Sequence, residues 1–183
     1  MSQPADPRTA IGDAADSEDY DIRIAADGTW FHEGRPIRRP ALVKLFASVL
    51  RRGADGGYWL ITPAERGRLV VDDAPFVAVA MEVAGAGRDQ VLTFRTNVGD
   101  DVAAGRDHPI RTAIDLVTGE PRPYVQVRDG LDALIVRAVF YQMADLATEG
   151  DGRFGVWSGG AFFALDAIGD AGVPDDQATD GGL

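Results

Sequence analysis

The sequence predicts an α+β fold made of two similar small subdomains from an internal duplication, each a twisted antiparallel sheet with one amphipathic helix. Three observations carry this prediction. Short β-prone runs closed by Gly, Pro and Asp fill most of residues 20–166. Only two stretches space their apolar residues as a helix does. The same succession also occurs twice: strands, an Arg-bearing helix, then a Gly-x-Trp strand.

The elements follow in order. Ile22 and Ile24 alternate into Asp27-Gly28, and Trp30-Phe31 follow, which is a hairpin pattern. Pro40 suits a first helical position, and Leu42, Leu45, Phe46 and Val49 form an apolar stripe behind it. Arg51 and Arg52 would close the last turn of that helix and Gly53 would cap it. Strands are expected at 57–61, 69–71 and 76–83, the last apolar on both faces as a central strand is. Gly85-Ala86-Gly87 turns the chain into a strand at 91–96, with Leu92 and Phe94 on one face and Thr93 and Arg95 on the other. Strands at 110–116 and 123–127 meet at Gly119-Glu120. A second helix over 130–147 takes Leu131, Leu134, Ile135, Ala138, Val139 and Met143 as its stripe. A final hairpin, 154–157 and 161–165, turns at Ser158-Gly159-Gly160, with Trp157 as a core residue. The expected organisation is an N-terminal subdomain at 21–84 and a C-terminal one at 85–166, between disordered acidic tails at 1–20 and 167–183.

Charge narrows the function. The chain of 183 residues has a net charge of -11. Residues 1–21 hold six acids against one base, and residues 166–183 hold five acids and no base. Residues 22–165 are nearly neutral, with 18 acids against 17 bases, 16 of them arginine and the other Lys44. Such a core lacks the basic footprint of a nucleic-acid binder. There is no cysteine, which excludes disulfides and thiol chemistry and suits a reducing compartment. No apolar run reaches the ~18–20 residues of a membrane span, and residues 1–16 lack the apolar core of a secretory signal. A bacterial cytoplasmic protein with neither membrane nor nucleic acid as partner is expected.

Few motifs carry chemistry. Gly155-Val156-Trp157-Ser158-Gly159-Gly160 is misspaced for a nucleophile elbow, and a strand follows the serine where a helix is needed. Gly85-x-Gly87 lacks the third glycine of a dinucleotide fingerprint, and no phosphate-binding Gly-x-x-x-x-Gly-Lys run exists. His32 and His108 lie far apart, while Asp72-Asp73 and Asp100-Asp101 fit ordinary turns. No cofactor, metal or catalytic residue is therefore assigned. What remains is arginine beside aromatics and amides. Glu65 and Arg66 follow the strand bearing Trp59, Arg95-Thr96-Asn97 ends another strand, and Tyr124 and Arg128 share a strand face. These eight residues form the candidate ligand set: Arg for an anionic group, Trp59 or Tyr124 for stacking a flat ring, Asn for edge hydrogen bonds. The alternative is that the arginines simply pair with the acids of the core.

Several longer motifs stand in order: Trp30-Phe31-His32 with Pro36-Ile37, the run 45–50, the run 58–63 with Glu65-Arg66, Asp73-Ala74-Pro75-Phe76, Arg95-Thr96-Asn97 and Gly155-Val156-Trp157-Ser158. Over residues 20–166 the chain resembles the bacterial domain-of-unknown-function family 1285. The resemblance implies a two-part α+β protein built by duplication, with a C-terminal part loosely like a pleckstrin-homology fold and no established activity. It also implies a nucleotide-like ligand at the junction of the two parts and a role in signalling or stress response. A non-enzymatic, ligand-binding regulatory protein is the resulting expectation. The alternatives are a protein–protein adaptor and, behind it, a small metal-dependent hydrolase using Glu65 or Asp73.

Overall fold

Two six-stranded sheets share one strand plan. The computed structural model describes residues 18–150 and 152–166. In the first half, β1 (Glu18–Ile24), β2 (Trp30–His32) and β3 (Arg35–Pro36) form a meander. Helix α1 (Pro40–Val49) then crosses to a second meander, β4 (Leu50–Arg52), β5 (Tyr58–Ile61) and β6 (Arg66–Val71). The meanders join where β1 and β6 run parallel, giving the order β3-β2-β1-β6-β5-β4. The second half repeats this with β7 (Phe76–Ala84), β8 (Val91–Thr96), β9 (Asp101–Ala103), β10 (Ile110–Ile114), β11 (Pro121–Arg128) and β12 (Leu131–Ile135). Here β7 and β12 are the parallel pair, and the order is β10-β11-β12-β7-β8-β9. Counted within its own half, each sheet runs third, second, first, sixth, fifth, fourth. The α+β class and the two sheet-rich halves agree with the sequence, although the strand order alone does not identify the C-terminal half with a pleckstrin-homology fold.

Helix α2 (Arg137–Ala144) follows the sixth strand of the second half and leads into a small third sheet, β13 (Thr148–Gly150), β14 (Arg153–Ser158) and β15 (Ala161–Ala164). Trp59 and Trp157 both sit on the middle strand of the meander after a helix. The repeat visible in the sequence is thus a helix-plus-meander unit, and it runs out of phase with the repeat of the sheets.

One continuous apolar core joins the halves, from Ile24, Trp30 and Leu50 to Phe76, Phe94, Leu131, Met143 and Val156. Trp30 is 1% exposed and stacks on Phe46 at 6.2 Å. Ser158 clamps the third sheet in place. Its buried hydroxyl accepts from the Leu92 N–H at 2.9 Å and donates to the Ala104 carbonyl at 2.7 Å. The side chain of Gln90 adds a bond to the Trp157 carbonyl at 2.9 Å.

Several local expectations are corrected. Helix α1 starts with Pro40 as expected but stops at Val49, since Leu50 is already extended; Arg51 and Arg52 lie in β4, and Leu45 is exposed. Residues 131–135 form β12, not the first turns of a helix. Leu131, Ala133 and Ile135 are buried in strict alternation between β11 and β7, so a period of two wins over 3.6. Gly130, with φ +67°, makes the turn that permits this pairing. The sheets change at residues 72–75, because β7 pairs only within the second sheet; the boundary expected at 84/85 is merely the β7–β8 hairpin turn. Beyond Ala78, β7 has lost its β12 neighbour and is largely exposed, so it is central for only three residues. Trp157 is half-buried, facing Phe162 at 5.3 Å with Arg88 4.7 Å from its ring. Residues 18–20, assigned to the N-terminal tail, belong to β1; the rest of both expected tails lies outside the described residues.

Candidate functional site

The two halves meet around the β8–β9 turn, and this is where three of the eight candidate residues converge. Thr96, 2% exposed, shapes the turn: its hydroxyl accepts from the Asp100 N–H at 3.0 Å. Asn97 then reaches across. Its side-chain carbonyl accepts from the Val77 N–H at 3.0 Å, and its amide donates to the Gly28 carbonyl at 3.2 Å. Gly28 has φ +84°, and a Cβ there would lie 2.6 Å from the Asn97 amide nitrogen, so both backbone and space demand glycine. Arg128, at the end of β11, donates to the Ala47 carbonyl of α1 at 2.8 Å and lies 5.5 Å from the ring centre of Phe76.

Beside this seam lies a cavity of about 480 Å³ lined by Gly99, Asp100, Asp101, His108, Val127 and Arg128, among others. Its charges are unequal in their commitments. Asp101 is bound by Arg95 through two bonds of 2.8 Å, and these hold the Asp101 carboxyl below its usual range. His108 donates from Nδ1 to the Gln126 carbonyl at 3.0 Å, which leaves Nε2 as its other nitrogen. Burial lowers the pKa of Arg128; Arg51 adds to that effect and Asp100 opposes it. The Nε of Arg128 is buried and has no hydrogen-bond partner among the described residues. A half-buried guanidinium with an unused donor is a costly arrangement.

The other candidates lie elsewhere. Arg95 points outward from β8, as its strand face predicts, and reaches the cavity only through Asp101. Tyr124 is buried beneath Arg111, 4.3 Å from its ring, and donates to Asp73 at 2.8 Å. Asp73 also accepts from Arg122 at 2.6 Å, so it forms a knot at the junction and does not stand as a free carboxylate. Trp59, Glu65 and Arg66 belong to the β5–β6 hairpin. Trp59 is half-buried, with Arg68 5.5 Å from its ring and its N–H directed at Asp55. Glu65 closes the turn through its backbone, bonded to the Thr62 hydroxyl. Arg66 pairs opposite Ile61 in the ladder and is half-buried. No group of three metal-ligating side chains forms a candidate metal site among the described residues.

Sequence reasoning passed over Asp100 and His108 as parts of this site and Arg51 as a charge acting on Arg128. The turn signals of the first two gave no sign of a cavity. Arg51 is far from Arg128 in sequence and comes near it only because α1 lies against the β11 end.

Comparison with known proteins places the chain among relatives. The description "Domain of unknown function (DUF1285), N-terminal domain" matches residues 13–74, and "Protein of unknown function (DUF1285), C-terminal domain" matches residues 75–165. The division at 74/75 coincides with the change of sheet. A crystal structure of a DUF1285 family protein from Silicibacter pomeroyi DSS-3 is 57% identical, with a TM-score of 0.79 over 82% of each chain. Another, from Shewanella baltica OS155, is 27% identical, with a TM-score of 0.54 over 69% of this chain and 91% of that one. No curated protein matches.

Proposed function

The chain belongs to the DUF1285 family, and from that premise we propose that it is a non-enzymatic regulatory protein that holds a small anionic, nucleotide-like molecule at the junction of its halves. One observation carries the reading: Arg128 lines the cavity beside the seam with its charge partly desolvated, while it is bonded to the Ala47 carbonyl of the other half. A phosphate or carboxylate there lies beside a cation whose charge water screens poorly. Asp100, in the same wall, is suited to accept an N–H of a base or amine. Arg128 is also bonded to α1 of the other half, so occupancy of the cavity bears on how the halves are held. That link supports a sensing role in signalling or stress response over simple storage.

The test is thermal unfolding with nucleoside mono-, di- and cyclic phosphates, inorganic phosphate and small dicarboxylates. At a hundredfold excess over its Kd a true ligand adds about 2.7 kcal/mol of stability. At least one anion should raise the Tm of the wild type and fail to raise that of Arg128→Ala. If none does, or if the shift survives in Arg128→Ala, the reading is lost.

A second reading, the protein–protein adaptor, is favoured by β7. Its outer half pairs only with β8 and leaves Val79 and Val83 47% and 44% exposed along an open edge. Sedimentation tests it for self-association, which Val83→Lys should abolish.

A further inference from the structure

One stretch of the chain breaks the charge balance of the rest. Residues 34–54 carry six bases and no acid. They run from β3 through α1 into β4, and all six bases are exposed. None of the six forms a salt bridge among the described residues, whereas seven arginines elsewhere do. Two of the six are accounted for locally. Arg51 donates to the Ser48 and Leu50 carbonyls at 2.9 and 2.7 Å, and Arg52 lies 4.0 Å from the ring centre of Tyr58. The side chains of Arg35, Arg38, Arg39 and Lys44 have no hydrogen-bonded or ionic partner among the described residues. Nor do they serve the helix: Arg38 and Arg39 precede α1 at its positive end, where a base opposes the dipole.

The outer face of α1 carries Ala41, Lys44, Leu45 and Ser48, spaced by three and four residues. Leu45 is 60% exposed. The face thus has an apolar centre, with Arg38 and Arg39 at one end and Arg51 at the other, about 15 Å apart along the helix at ~1.5 Å per residue. An acidic protein segment with an apolar residue matches both features. Its carboxylates suit the planar fork of arginine, and its apolar side chain removes Leu45 from water. Nucleic acid matches only the charge: no aromatic side chain stands on this face to stack a base, and the net charge of -11 repels a polyanion at long range. The same net charge opposes an anionic membrane, and a single leucine buries too little surface to hold one.

We propose that the outer face of α1 is a docking surface for an acidic segment of a protein partner. The carboxylates of that segment take Arg38, Arg39 and Lys44, and its apolar side chain covers Leu45. The surface rests on neither the junction cavity nor the β7 edge, and each can fail without the others.

Fluorescence anisotropy of a labelled peptide of Glu-Glu-Leu repeats, titrated with the full chain, tests it. The peptide should bind saturably and more weakly as salt is added. Arg38→Gln, Arg39→Gln and Lys44→Gln should each weaken it roughly two- to fivefold, the worth of one exposed ion pair. All three side chains are exposed and unpaired, so the fold is kept. Leu45→Ser should weaken this peptide about threefold and leave a peptide of Glu-Glu-Ser repeats unchanged. The proposal is overturned if no saturable binding occurs, or if the triple Gln variant binds as the wild type does. It is overturned equally if single-stranded DNA of the same charge, or vesicles containing phosphatidylserine, bind more tightly than the peptide. Binding that falls with Arg128→Ala but not with the α1 variants belongs to the junction cavity and overturns it too. If the peptide binds only once Asp170, Asp175, Asp176 and Asp180 are replaced by Asn, the face belongs to this chain's own C-terminal segment, and the proposal is again overturned.

Discussion

The two large sheets have the same strand order and different third-to-fourth connections. In the first half, α1 fills that connection and lays Phe46 against Trp30 and Ala47 into the core. In the second half, residues 104–109 make the same connection without a helix, and β14 docks there through Ser158. The first half therefore closes on itself. The second is closed by chain from beyond its sheet, and cavities remain at both ends of β11. Strand order decides which residues pair; the connections decide where space is left for a ligand.

If that contrast is right, the two halves should respond differently to comparable damage. Trp30→Ala should cost about 3–5 kcal/mol, as truncation of a fully buried aromatic does, and Trp157→Ala clearly less, because that ring is only partly buried. Urea unfolding of both variants checks this, and equal losses would break the contrast. Next in size is Ser158→Ala, which leaves the Leu92 N–H and the Ala104 carbonyl buried without their partner. About 1–3 kcal/mol should be lost in the same measurement; a neutral result would mean that the third sheet needs no clamp.

The alkaline limb of stability sharpens the picture of the junction. Burial raises the pKa values of Tyr58 and Tyr124 above the ordinary 10.0. The folded state thus favours the protonated phenols. That contribution is complete below pH 10, the unfolded value, and drains away as pH rises towards the folded values. Tyr124→Phe should reduce the slope of Tm against pH above 10 while lowering Tm at neutral pH, because Asp73 loses a donor. A slope unchanged by the substitution would count against a protonated Tyr124 at the junction.

The smallest effect is expected at Arg95. Its pair with Asp101 spans neighbouring strands of one hairpin and is exposed, with both side chains at least half accessible. Arg95→Ala should leave the unfolding midpoint of the unliganded protein unresolved from the wild type. A marked loss would show that the hairpin depends on this bridge, and it would remove Arg95 from any role reserved for a ligand.

Much of this was legible in the sequence, for local reasons. Alternation at Ile22 and Ile24 before Asp27-Gly28 specified a hairpin, and Gly159-Gly160, with φ of +56° and +73°, specified another. Pro40 marked a helix start that the structure keeps. The alternation of Leu92 and Phe94 with Arg95 told correctly which way that arginine points. The family too was readable, because its motifs are contiguous runs. By itself, then, the sequence determined the α+β class, most strands, both helices and the outward course of Arg95, all of which depend on neighbours a few residues away. Only the tertiary structure decided the rest. Residues 131–135 satisfy helical and strand spacing alike until β7 and β11 offer their edges on either side. Asn97 and Arg128 are polar residues at strand ends until Gly28 and Ala47 come within hydrogen-bonding distance from the other half. The cost of an unused donor exists only once burial removes water from it, so packing, and not its place in the chain, set Arg128 apart from the other seven candidates.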